Sequence, residues 1–149
     1  MKVLIHADAA RAVDCTAGLI AARLQRQPDA VLGLATGGTM EAVYARLIDA
    51  YKRGAVSFRH ARSFNLDEYV GVPPDHPASY WRYMREQLFD HVDMPAGAAL
   101  LPRGDAPNPE AEAAADENAI VEAGDIGLQL LGLGANGHIG FNEPTSSLA

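Results

Sequence analysis

The chain has 149 residues, 48% of them apolar, which is enough for one hydrophobic core and too short for two comfortable domains. Its net charge of -7, with no basic run longer than Lys52-Arg53, argues against a nucleic-acid surface, and no apolar stretch approaches a membrane span. The single cysteine, Cys15, cannot close an internal disulfide and reads as buried filler in an Ala-rich amphipathic run.

The opening Met-Lys-Val-Leu-Ile stops at His6 and Asp8, well short of a signal-peptide core, so a cytoplasmic protein is expected. Val3 to His6 predicts a short first strand. A helix follows from Asp8, its N-cap, to Gln27, with Ala12, Val13, Ala17, Ile20, Ala21 and Leu24 on one face. Val31 to Ala35 is continuously apolar, as a strand covered on both faces would be, and leads through Thr36-Gly37-Gly38-Thr39 into a helix from Met40 to Lys52. Ala61 to Leu66 predicts another strand, and a helix from Pro77 to His91 turns Tyr80, Tyr83, Met84, Leu88 and Phe89 inward. Residues 92 to 109 are rich in Pro, Gly and Asp and read as irregular. An Ala/Glu-rich helix from Pro109 to Ala123 then precedes a strand from Ile126 to Leu133.

Strands alternating with helices define an α/β fold with a mainly parallel sheet. Three strands end in unusual polar sequence, after Ala35, Leu66 and Leu133. Carboxyl ends of the strands share one edge of an open α/β sheet, so these three loops are expected to meet at one crevice.

Each loop has its own chemistry. Thr36 to Thr39 sits at a helix N-terminus, where open N–H groups and the dipole favour an anion such as phosphate. It lacks a Walker lysine and dinucleotide spacing, and a tight turn that merely needs glycine is the even alternative. Asp67 and Glu68 follow a strand end, where a carboxylate can face the crevice; taken alone, solvation or capping of the next helix is the stronger reading. Gly134 to Pro144 crowds His138, Glu143, Asn136 and Asn142 onto a glycine-rich turn. His138 and Glu143 lack metal-site spacing and company, so no metal is expected. A hydrogen bond between them would fix the imidazole tautomer and raise its basicity. For Asn142 a structural role is the stronger reading. A phosphate cradle, a carboxylate and a His-Glu pair suit proton transfer on a phosphorylated sugar, and the residues leave isomerisation, lactone hydrolysis and deamination open.

Leu34 to Thr39, Phe64-Asn65-Leu66-Asp67-Glu68-Tyr69-Val70-Gly71 and Gly137-His138-Ile139-Gly140-Phe141-Asn142-Glu143-Pro144 together resemble the glucosamine-6-phosphate deaminase (isomerase) family. His76 to Tyr80 and Phe89 to Asp93 add to the likeness. The related 6-phosphogluconolactonases are similar around the carboxylate and the Gly-His pair, but lack the Asp-Glu-Tyr-Val-Gly and Phe-Asn-Glu-Pro continuations. The resemblance implies a Rossmann-like three-layer sandwich and an enzyme of amino-sugar (N-acetylglucosamine) catabolism. It would convert D-glucosamine 6-phosphate and water to D-fructose 6-phosphate and ammonia without metal or cofactor, and would be classed as a hydrolase. His138 would assist ring opening, with Glu143 and Asn136 orienting it; Asp67 would move the proton from C2 to C1; Gly37, Gly38 and Thr39 would hold the phosphate. Ser146 and Ser147 match positions that bind an effector in regulated relatives. The implied partner is a small sugar phosphate, with no nucleic acid and no membrane, and homo-oligomerisation is left open.

Three departures accompany the resemblance. Asn136 stands where some members carry aspartate, and Met40 replaces a common helix-opening proline. Members also continue well past the position of Ala149, so residues 1–149 are expected to form a single, incomplete domain, weakly active or inactive alone. A lactonase-like hydrolase and a non-catalytic sugar-phosphate-binding fragment are the alternatives.

Overall fold

A computed structural model describes residues 2–146. The elements run α1 (Ala9–Arg26), β1 (Val31–Leu34), α2 (Gly38–Lys52), β2 (Arg62–Asn65), α3 (Tyr80–Gln87), a 3-10 turn (Phe89–His91), β3 (Ala99–Leu100), α4 (Pro109–Glu122) and β4 (Leu128–Gln129). The four strands form one parallel sheet in the order β3-β2-β1-β4. Register pairs Leu34 with Asn65 and Gly33 with Gln129, so the carboxyl ends of β1, β2 and β4 open onto the same edge.

Strand order sets the layers. From β1 through α2 to β2 and through α3 to β3 the chain steps one way across the sheet; from β3 through α4 to β4 it steps back. Right-handed crossovers therefore put α4 on the face opposite α2 and α3. The core lies on the α1/α2 side, where Ala17, Ile20 and Leu24 of α1 and Val43, Tyr44 and Leu47 of α2 pack on Leu32 and Leu34. Met84 and Leu88 close it from the α3 side. No residue of α4 is buried, so that helix adds little apolar burial among the described residues. None of the described helices is long and apolar enough to cross a membrane.

Local chemistry explains the helix ends. The Asp8 carboxylate accepts the Arg11 N–H at 2.8 Å and starts α1 as expected, and Asn108 does the same for α4 through Ala111 N–H at 3.0 Å. The third helix is shorter than its sequence suggests: Ser79 caps it, and Leu88, at φ -144°, ends it before the 3-10 turn. Cys15 is half-buried rather than fully enclosed.

Three expectations about strands need correction. Val3 to His6 is not a strand: Val3, Leu4 and Ile5 are 66, 50 and 93% exposed. A strand exists only by pairing its backbone, and no described segment offers that stretch a ladder. Residues 92–109 are not wholly irregular, because Ala99 and Leu100 pair with Ser63 and Phe64 of β2. The Ile126–Leu133 run contributes only Leu128–Gln129 to the sheet, its backbone bonding β1 from Gly127 N–H to Leu130 N–H.

Tyr44 links this core to the site. Its fully buried hydroxyl donates to the Ala35 carbonyl where β1 gives way to the first loop, and burial pushes the phenol well above its usual pKa. Tyr44→Phe is expected to cost about 1–3 kcal/mol, because the acceptor loses its donor in a dry environment. Urea unfolding of the two proteins measures the difference.

Candidate active site

The three strand-end loops do converge. They enclose a cavity of about 350 Å³ walled by Thr36 to Met40, by Leu66 and Asp67, by Tyr80, by segment 131–134, and by His138, Gly140 and Phe141. A larger cavity of about 470 Å³ lies between β3 and α4; its wall is mainly apolar, with Glu68, Arg103, Glu112 and Asp116 on it, and neither the Thr36 to Thr39 turn, Asp67 nor His138 reaches it. The smaller, polar cavity is the candidate site.

The first loop presents backbone. Gly37 has φ 110°, a conformation L side chains rarely adopt, and as N-cap of α2 it offers no side chain to satisfy the helix's leading N–H groups. Those donors and the helix dipole are left for a ligand anion beside Gly38 and Thr39. The Tyr83 hydroxyl donates to the Gly37 carbonyl at 2.9 Å and steadies the turn. Burial pushes that phenol up to about 12.

The second loop separates two adjacent acids. Asp67 lines the cavity, half-buried, and burial raises its carboxyl pKa; the Phe141 backbone N–H partly offsets this, and the Glu68 charge adds to it. Glu68 turns away and caps α3, one of the two alternatives its sequence left open. The acid-base candidate is thus held in a place where its proton is retained more readily than in water, a property suited to a group that must take up and return one.

The third loop builds a directed network. Asn136 Nδ2 donates to Glu143 Oε2 at 2.8 Å, and Asn136 Oδ1 faces His138 Nδ1 at 2.6 Å while also accepting the His138 N–H at 3.2 Å. A carboxylate only accepts, so the Asn136 amide nitrogen must face Glu143 and its oxygen must face the ring. The proton therefore sits on Nδ1 and leaves Nε2 as the ring's lone-pair nitrogen. The direct Glu143–His138 bond expected from sequence is not formed: Asn136 stands between them as the bridge. Asn136 and Glu143 are off the cavity wall and reach it through His138. Asn142 serves the turn, exchanging backbone hydrogen bonds with Ile139 at 2.9 and 3.0 Å.

Ser146 accepts the Glu143 N–H through Oγ at 3.0 Å and closes the turn after the network. Ser147 lies outside the described residues. Among the described residues no three His, Cys, Asp or Glu side chains gather as a metal site.

Tyr80 is the wall residue the sequence reading misassigned to the core. Its ring packs in a tilted cluster with those of Tyr69 and Phe141, with centroids 5.1 and 5.8 Å away, and its hydroxyl bonds Thr36 and meets that of Tyr69 at 3.2 Å. Burial and the Tyr69 hydroxyl push its pKa up to about 12, so at neutral pH it stays a hydrogen-bond donor. The available signal was its position as first residue of α3, beside the sheet edge where the loops gather.

A parallel α/β sheet with an anion-ready helix end, a half-buried carboxylate and a tautomer-fixed histidine at one edge defines a class of α/β proteins with a polar crevice suited to an anionic ligand and proton transfer, and comparison with known proteins narrows it. Residues 6–141 match the family described as glucosamine-6-phosphate isomerases/6-phosphogluconolactonase, and the chain belongs to that family. A glucosamine-6-phosphate deaminase of Cellvibrio japonicus (strain Ueda107) is 52% identical over 148 residues, 99% of this chain and 56% of that protein. The solved structure of a monomeric glucosamine-6-phosphate deaminase superposes with a TM-score of 0.94 at 42% identity, covering 99% of this chain and 61% of its own. A 6-phosphogluconolactonase of Thermotoga maritima superposes with a TM-score of 0.76 at 25% identity, covering 94% and 62%. The chain thus spans a little over half the length of the deaminases it matches.

These relatives overturn the hydrolase class expected from sequence. They are named deaminases, within a family named in part for isomerases.

Proposed function

We propose that the site carries out the deaminating isomerisation of D-glucosamine 6-phosphate to D-fructose 6-phosphate and ammonia in amino-sugar catabolism. The observation that carries this reading is the cavity that holds Asp67 and His138 opposite the open N-terminus of α2. Gly37, Gly38 and Thr39 anchor the phosphate at that helix end, which leaves the sugar's reactive carbons to the other two loops. His138, with its Nδ1 proton held by Asn136, uses Nε2 to shuttle the proton that opens the pyranose ring. Glu143 orients the relay through Asn136. Asp67 takes the C2 proton of the open-chain sugar to give an enolamine and returns it at C1; the nitrogen at C2 is then exchanged for water and leaves as ammonia. One carboxylate reaching two adjacent carbons acts first as base and then as acid.

The deaminase is favoured over a lactonase by the near-complete match to deaminases at about half identity against a quarter for the lactonase structure. The proposal also takes residues 1–149 as one folded unit of the family, acting on a small sugar phosphate in the cytoplasm. Ammonia and fructose 6-phosphate release from glucosamine 6-phosphate, measured beside 6-phosphogluconolactone opening and calorimetric binding, tests it. Ammonia release supports the deaminase, and lactone opening alone refutes it. Binding without turnover supports the substrate class but makes the chain a binding fragment, and neither binding nor turnover removes the reading for this chain.

A further inference from the structure

Glu68 is only partly buried, yet its carboxylate is fully engaged by protein donors. Oε2 accepts from Ser79 Oγ and Tyr80 N–H, both at 2.8 Å, and from Trp81 N–H at 3.2 Å, while Oε1 accepts the Tyr69 N–H at 2.9 Å. Three donors at the start of α3 thus converge on one side chain from a loop eleven or more residues upstream. Ser79 Oγ in turn accepts from Trp81 N–H at 3.1 Å, so the helix is already capped by its own residue and does not depend on Glu68 alone.

The surroundings immobilise this loop from two further sides. Gly71 N–H donates to the Gly104 carbonyl at 2.7 Å, and a Cβ on Gly104 would sit 2.4 and 2.5 Å from the Tyr69 and Val72 carbonyl oxygens. The Tyr69 ring packs against those of both Tyr80 and Phe141, at centroid distances of 5.1 and 4.9 Å. Asp67, one residue before Glu68, itself touches the third loop: a Cβ on Gly140 would lie 3.0 Å from its Oδ2.

We propose that Glu68 is a positioning residue, whose carboxylate fastens the 67–71 loop to the N-terminus of α3 and so fixes the Asp67 carboxylate in the cavity. This deepens the proposed function, because it explains how a loop residue keeps the alignment that proton transfer between two carbons demands. The carboxylate is suited to the task since it offers acceptors to several N–H groups at once and complements the positive end of the helix.

The test needs no turnover and so stands apart from the fate of the deaminase reading. Glu68→Gln and Glu68→Ala are compared with the parent by amide hydrogen exchange and by NMR titration of the Asp67 carboxyl. The titratable groups facing that carboxyl are Glu68 on its own loop, Tyr80 from α3 and His138 from the third loop. Exchange in segment 66–71 is expected to quicken by about tenfold or more in the alanine variant and less in the glutamine variant, which keeps one acceptor oxygen. The Asp67 pKa is expected to fall in both, because a neighbouring negative charge is lost, and to fall further in the alanine variant, where the loosened loop gives the carboxyl more solvent. Faster exchange confined to the Tyr80 and Trp81 amides, with the Asp67 pKa lowered equally in both variants as loss of the charge alone requires, would reduce Glu68 to a helix cap and overturn the proposal. Should the alanine variant fail to fold, exchange in segment 66–71 of the glutamine variant decides: faster exchange there supports the proposal, and exchange unchanged there overturns it.

Discussion

Asp67→Asn is expected to lower ammonia and fructose 6-phosphate formation by about 100- to 10,000-fold, the usual worth of a positioned acid-base group, while leaving sugar-phosphate binding nearly intact. The phosphate anchor proposed at Gly37 to Thr39 lies on a different loop from Asp67, so binding and chemistry should separate. Incorporation of solvent deuterium at C1 of the product, seen with the parent, should vanish in the variant. The fold is expected to tolerate the change and to gain from it at neutral pH. Burial raises the Asp67 pKa in the folded chain, so the folded state keeps its proton to higher pH than the unfolded chain does. The stabilising contribution of that group is complete below the ordinary aspartate value of about 3.9 and is lost as pH rises through the folded value. Asparagine carries no charge to desolvate. The variant's urea midpoint should therefore match or exceed the parent's at pH 7, and the gap should narrow toward pH 4.

Gly134→Ala is expected to be nearly as damaging to activity, for a geometric reason. A Cβ there would lie 2.1, 2.3 and 2.6 Å from Cε1, Nδ1 and Nε2 of His138, so the ring must swing away. That motion breaks the Nδ1 contact to Asn136 and releases the tautomer that leaves Nε2 free. Displacing a reacting group by about 1 Å can cost on the order of 100-fold, and a loss of that size in kcat with little change in KM is expected. The thermal midpoint should move little, because Gly134 belongs to a partly exposed turn and not to the core. A His138 imidazole NMR signal that no longer reports a fixed Nδ1 proton would confirm the cause.

The two variants probe parts of the site that the sequence revealed unequally. Asp67 and His138 were legible because each follows a predicted strand, and in a parallel sheet the strand ends share one edge. The TGGT turn was legible for the same reason, since glycine at a strand-to-helix junction is demanded by a φ such as that of Gly37. Helix starts at Asp8 and the helix from Pro109 were equally plain, because capping and propensity act within a few residues.

What failed to show in the sequence depends on partners far along the chain. Val3 to Ile5 has strand composition but no ladder among the described residues, whereas Ala99 and Leu100, which have almost no strand signal, pair with β2. Pairing is a long-range decision, and two residues between Gly97 and Pro102 carry no period to read. The division of labour between Asp67 and Glu68 was likewise hidden, because it rests on where α3 begins in space. Asn136 as the bridge between Glu143 and His138 needed the turn's actual path, since spacing alone allowed the direct bond. Tyr80 was taken for core because a helical period cannot tell a ring facing the hydrophobic centre from one facing a cavity at the sheet edge. The sequence by itself determined most of the helices, the two central strands, the three strand-end loops and the chemical groups on them; the tertiary structure decided the outer strands and which groups touch, because both depend on strand order and helix placement that local propensity does not encode.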